Sequence, residues 1–161
     1  MKKSNPNQFN LFDGEYTLKG VECRLALRAS QCLYSNEPVD STQTAGNLLR
    51  EELAGFANEY FVVLNLDSHK RPINYFMTGP GSTSRVAVDI QSVFKTAILC
   101  NASAVILMHN HPNGDVFPSE EDRKLTKRVQ KAGAILGYQV LDHIIVSSEG
   151  EYFSFCDAGL I

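Results

Sequence analysis

Apolar and polar positions repeat with two different periods along the chain, and the switches between them mark out a series of short elements. Residues 1–14 are polar, with Pro6 and Gly14, and read as a flexible N-terminus. Residues 16–29 (YTLKGVECRLALRA) alternate in part with period two and predict one or two strands. SNEPVDS (35–41) is turn-like, and Ser41 or Thr42 then caps a helix reaching about Gly55, with Leu48, Leu49, Glu52 and Leu53 on it. EYFVVLNLD (59–67) is rich in aromatic and β-branched residues and predicts a strand. SHKRP turns the chain and INYFMT returns as a second strand, most cheaply as a hairpin. GPGSTSR (79–85) predicts a loop, followed by a short strand VAV. Asp89 then caps a helix whose apolar residues Ile90, Val93, Phe94, Ala97 and Ile98 fall on one face. The uninterrupted apolar run ASAVILM (102–108) predicts a strand buried on both faces. HNHPNGDVFP (109–118) reads as a loop. Ser119 opens the longest helix, acidic in its first turn as the helix dipole prefers, with Gly137 as its C-cap. A strand at 138–146, a Glu149-Gly150 turn and a short strand at 152–155 end the chain.

This alternation of strands and helices predicts an α/β (α+β) domain over 15–161, a mixed β-sheet flanked by helices in three layers. The 161 residues (17.8 kDa) are one domain's worth, and 43% hydrophobic with 20% charged residues is ordinary for a soluble globular chain. The net charge of −3 argues against bare electrostatic capture of nucleic acid or anionic membrane. No apolar run approaches the ~20 residues of a membrane span, and MKKSNPNQFN has no apolar stretch of a secretory signal. Cys23, Cys32, Cys100 and Cys156 form no CxxC pair. They are expected to be reduced, in a cytoplasmic protein, and not to bind zinc.

The chemistry concentrates in His109-x-His111, seven residues, then Ser119-x-x-Asp122. In extended backbone, residues i and i+2 point to one side, so both imidazoles aim at one point. The turn at Pro112–Gly114 brings the chain back, and Asp122 lies one turn into the next helix. Two histidines and a carboxylate suit Zn²⁺ with a fourth position open to water, the pattern of a catalytic site. A metal there lowers the pKa of its water from ~15.7 towards ~7. The plain alternatives are ordinary loop histidines and a structural capping box from Ser119 to Asp122, although Asp is shorter than the usual Glu or Gln. No P-loop, dinucleotide fingerprint or Ser-His-Asp order is present.

HNHPNGDVFPSEED resembles the JAMM metalloprotease motif of JAB/MPN-domain proteins, and more closely the HNHPSGDxxPSxxD pattern of the RadC family. VFKTAILCNASAVILMHNHP, LTKRVQKAGAILGYQVLDHIIV and EYFSFCDAGLI resemble further segments of that family, so the likeness runs over about 59–161. It implies the JAB/MPN (cytidine-deaminase-like) fold and one Zn²⁺ per chain, held by His109, His111 and Asp122. It implies Ser119 as a hydrogen-bond donor to the metal-activated water or the developing oxyanion. It also implies a general base on an earlier strand. Glu59, which opens a segment resembling ExFxxLxLD, fits best; the alternative is a solvent-facing acid at a strand edge. Glu51 and Glu52 read as helix surface. Two departures stand out: Asn113 replaces the usual Ser, and Gln91-Ser92 replaces an Arg-Glu pair, which removes charge from the possible substrate contacts.

Beside these, His143 in LDH reads either as a satisfied core histidine or as a donor that orients a ligand. His69 reads as an exposed turn residue. Lys124, Lys127, Arg128 and Lys131 form a helical stripe, a solvated face in the plain reading and a nucleic-acid contact in the other. The resulting expectation is a zinc-dependent hydrolase of amide or isopeptide bonds acting on a peptide or protein. The alternative is a DNA-associated accessory protein, related to DNA repair or recombination, on the same fold. An inactive scaffold would not need the intact ligand set. Many RadC-like chains carry an N-terminal helix-hairpin-helix region. With 161 residues and a match from about 59, a stand-alone form without it is expected, and nucleic-acid binding by this chain alone is not favoured. No membrane partner is expected, and the sequence leaves the oligomeric state open.

Overall fold

The computed structural model describes residues 8–10, 17–19, 38–77 and 88–161. Strands β1 (Gln8–Asn10) and β2 (Thr17–Lys19) pair antiparallel as a small sheet of their own. The rest of the predicted strand region at 16–29, the loop GPGSTSR and most of the VAV segment lie outside the described residues, as do Cys23 and Cys32.

Helix α1 spans Thr42–Ala54 between Ser41, whose hydroxyl accepts from Thr44 N at 3.1 Å, and Gly55. This N-cap satisfies one of the helix's orphan donors and sets its start. Strand β3 (Phe61–Leu66) and β4 (Pro72–Met77) form the expected antiparallel hairpin, with His69 exposed in its turn. Helix α2 spans Ile90–Leu99. Asp89 occupies the N-cap position, but its carboxylate accepts from the Ser92 hydroxyl at 3.4 Å and not from a backbone N–H. Val93, Phe94 and Ala97 are buried as expected. Ile98 is 51% exposed, because the short helix ends one residue later and its last turn lacks cover on that side.

Strand β5 runs Ala104–His111, helix α3 Glu120–Leu136, strand β6 Gln139–Ser147 and β7 Tyr152–Ser154. The five-stranded sheet has the order β4-β3-β5-β6-β7, with only β5 and β6 parallel, so α3 is their crossover. Period-two alternation sorts the strand residues onto two faces. Val62, Leu64, Ile106, Met108, Ile144 and Val146 pack with Leu49 and Leu53 of α1. Phe61, Val63, Val105 and Leu107 pack with Val93, Phe94 and Ala97 of α2 and Val129 of α3. The result is the three-layer sandwich expected from the sequence, with β5 at its centre.

The end of α3 is sharply set. Gly137 takes φ 82° as the C-cap, a left-handed conformation open to glycine. At Gly133 a Cβ would lie 2.8 Å from Tyr138 O, so only glycine lets the helix approach the start of β6 this closely. Packing this tight fixes the tilt of α3 and therefore where its N-terminus points. Among the described residues no helix is long and apolar enough to cross a membrane, and Cys100 and Cys156 are free thiols.

Candidate metal centre

The predicted loop at 109–118 begins later than its composition suggests. Strand β5 continues through His109, Asn110 and His111, because His109, Asn110 and His111 pair with Ile145, Val146 and Ser147 of β6. Pairing with a partner distant in sequence overrides the polar composition of these three positions. Extended backbone then does what the spacing requires: His109 and His111 share the face of Val105 and Leu107, the face covered by α2 and α3.

Helix α3 delivers the third group. Ser119 is its N-cap in a full capping box. The Ser119 hydroxyl accepts from Asp122 N at 3.1 Å, and Asp122 Oδ2 accepts from Ser119 N at 2.8 Å. Asp122 thus serves the box despite its short side chain, and its other oxygen, Oδ1, lies 3.3 Å from His109 Nε2. Nε2 of His109 and of His111 are 3.0 Å apart, and His111 Nε2 is 3.7 Å from Asp122 Oδ2. One donor atom from each of the three residues lies within 4.8 Å of the others, a cluster that could hold a metal ion. In a tetrahedron with bonds of roughly 2.0–2.1 Å the donors are about 3.3 Å apart, so the donor set fits such an ion.

The ring nitrogens turned away from this point are also engaged. His111 Nδ1 donates to the Asp115 carbonyl at 2.7 Å, which leaves Nε2 as the ligating atom. His109 Nδ1 lies 2.9 Å from His143 Nε2, and His143 Nδ1 lies 2.7 Å from Thr126 Oγ1. His143 is therefore both a buried core residue and a hydrogen-bond partner of the centre, stacked on Phe155 at 4.8 Å. Its neighbour Asp142 points to the other side and accepts from Ser154 Oγ and the backbone N–H of Cys156 and His143, tying the C-terminal segment to β6.

Charges follow from these surroundings. Complete burial pushes the His109 imidazole down to about 4, against the pull of the Asp122 carboxylate. Burial, and then the neighbouring His109, pushes His143 well below its ordinary value. For His111 burial also acts downward, but the nearby Asp122 carboxylate, the Asp115 carbonyl and the charge of Glu59 outweigh it and leave its pKa raised. Burial alone would raise Asp122, yet the neighbouring His111, the His109 charge and the two Ser119 bonds hold it well below the usual carboxylate range. The Asp122 carboxylate faces the imidazole nitrogens of His109 and His111, a donor set that would favour a cation between them.

Acid is expected to destabilise the chelator-treated protein. An unfolded histidine protonates near 6.5, but folded His109 resists until about 4, so stability falls as pH drops between those values. His143 acts in the same sense; raised His111 acts in the opposite one, adding stability at low pH that is lost as pH rises through its folded pKa. Depressed Asp122 adds a loss only below its unfolded value of 3.8. His109 alone carries about 3 kcal/mol, partly offset by His111. Urea midpoints at pH 7 and pH 4.5 check this, and an equal or higher midpoint at pH 4.5 contradicts it.

Glu59 stands two residues before Phe61, the first residue of β3, which pairs with His109. It is half-buried, and its charge reaches His111. Glu51 is exposed on α1, and Glu52 lies on the same helix. The residue that sequence reasoning missed is Asn110. It points to the opposite face, donates to the carbonyls of Phe56 (3.3 Å) and Asn58 (3.0 Å), and accepts from Tyr60 N at 2.7 Å. It thereby pins the segment that carries Glu59. Its one signal was a polar residue between the two histidines at the end of a buried strand. The Ser119 hydroxyl lies 2.6 Å from Asp122 Oδ2, so donation to a substrate oxygen requires it to rotate away. In the loop beyond His111, Asn113 Oδ1 accepts from Asp115 N, the turn role expected of it. Phe117 is 69% exposed beside Phe153, with ring centroids 6.2 Å apart. Lys124, Lys127, Arg128 and Lys131 are all exposed on α3.

Comparison with known proteins bears on the same residues. The sequence profile of the RadC-like JAB domain matches residues 39–160, which include all three members of the cluster. The chain is 46% identical over 110 residues to a UPF0758 protein of Pelobacter propionicus, covering 68% of this chain and 48% of the relative. It is 45% identical over 141 residues to one of Geobacter sulfurreducens (88% and 61%) and 37% identical over 155 residues to one of Porphyromonas gingivalis (93% and 68%). The chain thus spans roughly half to two thirds of the length of these curated relatives.

Proposed function

The chain belongs to the RadC-like JAB domain family, and from that premise we propose that it is a zinc-dependent hydrolase of amide or isopeptide bonds in a peptide or protein. The observation that supports this most is the convergence of His109 Nε2, His111 Nε2 and the Asp122 carboxylate on one point. When bound there, a zinc ion supplies Lewis acidity, lowering the pKa of water and polarising a carbonyl oxygen. Everything else falls to the chain's own side chains.

Glu59, just ahead of β3 and with its charge reaching His111, takes the proton of the attacking water and returns it to the leaving nitrogen. The Ser119 hydroxyl, once turned from Asp122, donates to the oxyanion that develops on the carbonyl oxygen. His111, fixed by the Asp115 carbonyl, and Asp122, fixed by the capping box, stay in place while charge moves.

The test is incubation of the zinc-loaded protein with libraries of peptides and isopeptide-linked conjugates. Cleavage is expected, lost with a chelator and restored by zinc. Full zinc occupancy with no cleavage of any amide contradicts the proposal.

A further inference from the structure

We propose that Thr126 and His143 are positioning residues that fix the proton of His109 on Nδ1 and so reserve its Nε2 lone pair for the ion. This rests on the metal reading above for its purpose, but not for its geometry.

The Thr126 hydroxyl has a single proton. It lies 2.6 Å from the carbonyl oxygen of Asp122, which can only accept, so the proton is committed there. Towards His143 Nδ1, at 2.7 Å, the threonine oxygen then has only lone pairs to offer, and that nitrogen carries a proton. A neutral imidazole protonated on Nδ1 presents a lone pair on Nε2. That lone pair faces His109 Nδ1 at 2.9 Å, so His109 donates from Nδ1. Its Nε2 is left unprotonated, facing His111 Nε2 and Asp122 Oδ1.

Every step has one solution while both rings are neutral. They are 1% and 0% exposed, and burial disfavours the charged form. A flip of the His143 ring would turn carbon atoms towards Thr126 Oγ1 and His109 Nδ1 and lose both bonds, while its stacking on Phe155 at 4.8 Å holds the ring plane. Asp122 starts the chain of bonds at its carbonyl, and its carboxylate oxygen Oδ1 lies 3.3 Å from His109 Nε2, the atom the chain leaves open to the ion. The relay therefore holds the end of β5 and the start of α3 in register through β6. With the opposite polarity, an Nε2–H of His109 would occupy the direction the ion needs.

The experiment combines long-range ¹H–¹⁵N imidazole spectra of chelator-treated protein at pH 8 with zinc competition titrations. Wild-type protein is expected to show Nδ1–H for both His109 and His143. Thr126→Val keeps the shape but removes the hydroxyl. It is expected to disturb that pattern and weaken zinc binding by about 10- to 100-fold. Thr126→Ser restores both. An Nε2–H on His109 in wild-type protein overturns the relay whatever the metal does, and so does a Thr126→Val protein unchanged in spectra and affinity. Wild-type protein with the Nδ1–H pattern that takes up no zinc overturns the metal reading and leaves the relay standing.

Discussion

Zinc affinity is expected to fall by a factor on the order of 10²–10³ when either His109 or His111 is replaced by alanine. Structural zinc sites with four side-chain ligands contribute roughly 10–16 kcal/mol of binding free energy, so one ligand is worth about 3–4 kcal/mol. The two substitutions differ in what else they disturb. His109 is fully buried, stacked near Phe61 and bonded to His143. His109→Ala therefore also opens a cavity and strands the His143 ring, at a further cost of about 2–4 kcal/mol in folding stability. His111 is partly exposed and its outer nitrogen bonds only a loop carbonyl. His111→Ala is expected to lose the metal while keeping most of the stability, which separates a ligand's role from a core residue's. Competition titration with a chromophoric chelator measures the affinity and urea unfolding the stability. A His111→Ala protein that binds zinc as tightly as the wild type removes His111 from the ligand set.

Glu59→Gln is expected to leave zinc binding within about threefold and to lower kcat/KM by roughly 10²–10⁴-fold, the usual contribution of a positioned general base. Glutamine keeps the size of the side chain and one acceptor oxygen but cannot accept the proton. The segment that holds it is fixed by Asn110 and by the β3–β5 register, neither of which the substitution touches. Activity on the best substrate from the libraries, measured beside metal content, separates the two quantities. Full activity with bound zinc would show that another group takes the proton.

Most of the framework was legible from local signals. Ser41, Ser119 and Gly137 do at the helix ends what their types predict, and the hairpin of β3 and β4 follows from SHKRP. The two histidines and Asp122 were legible because a period of two and one helical turn are enough to aim three side chains at one point. What was not legible depends on partners distant in the chain. The extension of β5 through His111 comes from pairing with β6, thirty-odd residues later. Asn110 acts through backbone groups of residues 56–60, and its type gives no hint of them. Thr126 had no signal beyond standing one turn after Asp122, and its meaning appears only when His143 is brought beside it. Ser119 read as a donor to substrate; its present bonds are to Asp122, a use of the hydroxyl that the spacing allows equally.

The most direct test of the metal centre is the anomalous scattering from a crystal of the zinc-loaded protein, collected on both sides of the zinc absorption edge. The account predicts one strong peak per chain, roughly 2.0–2.2 Å from His109 Nε2, His111 Nε2 and an Asp122 oxygen, with Glu59 on the open side. A peak elsewhere, or none at this point in protein that has taken up zinc, would contradict it.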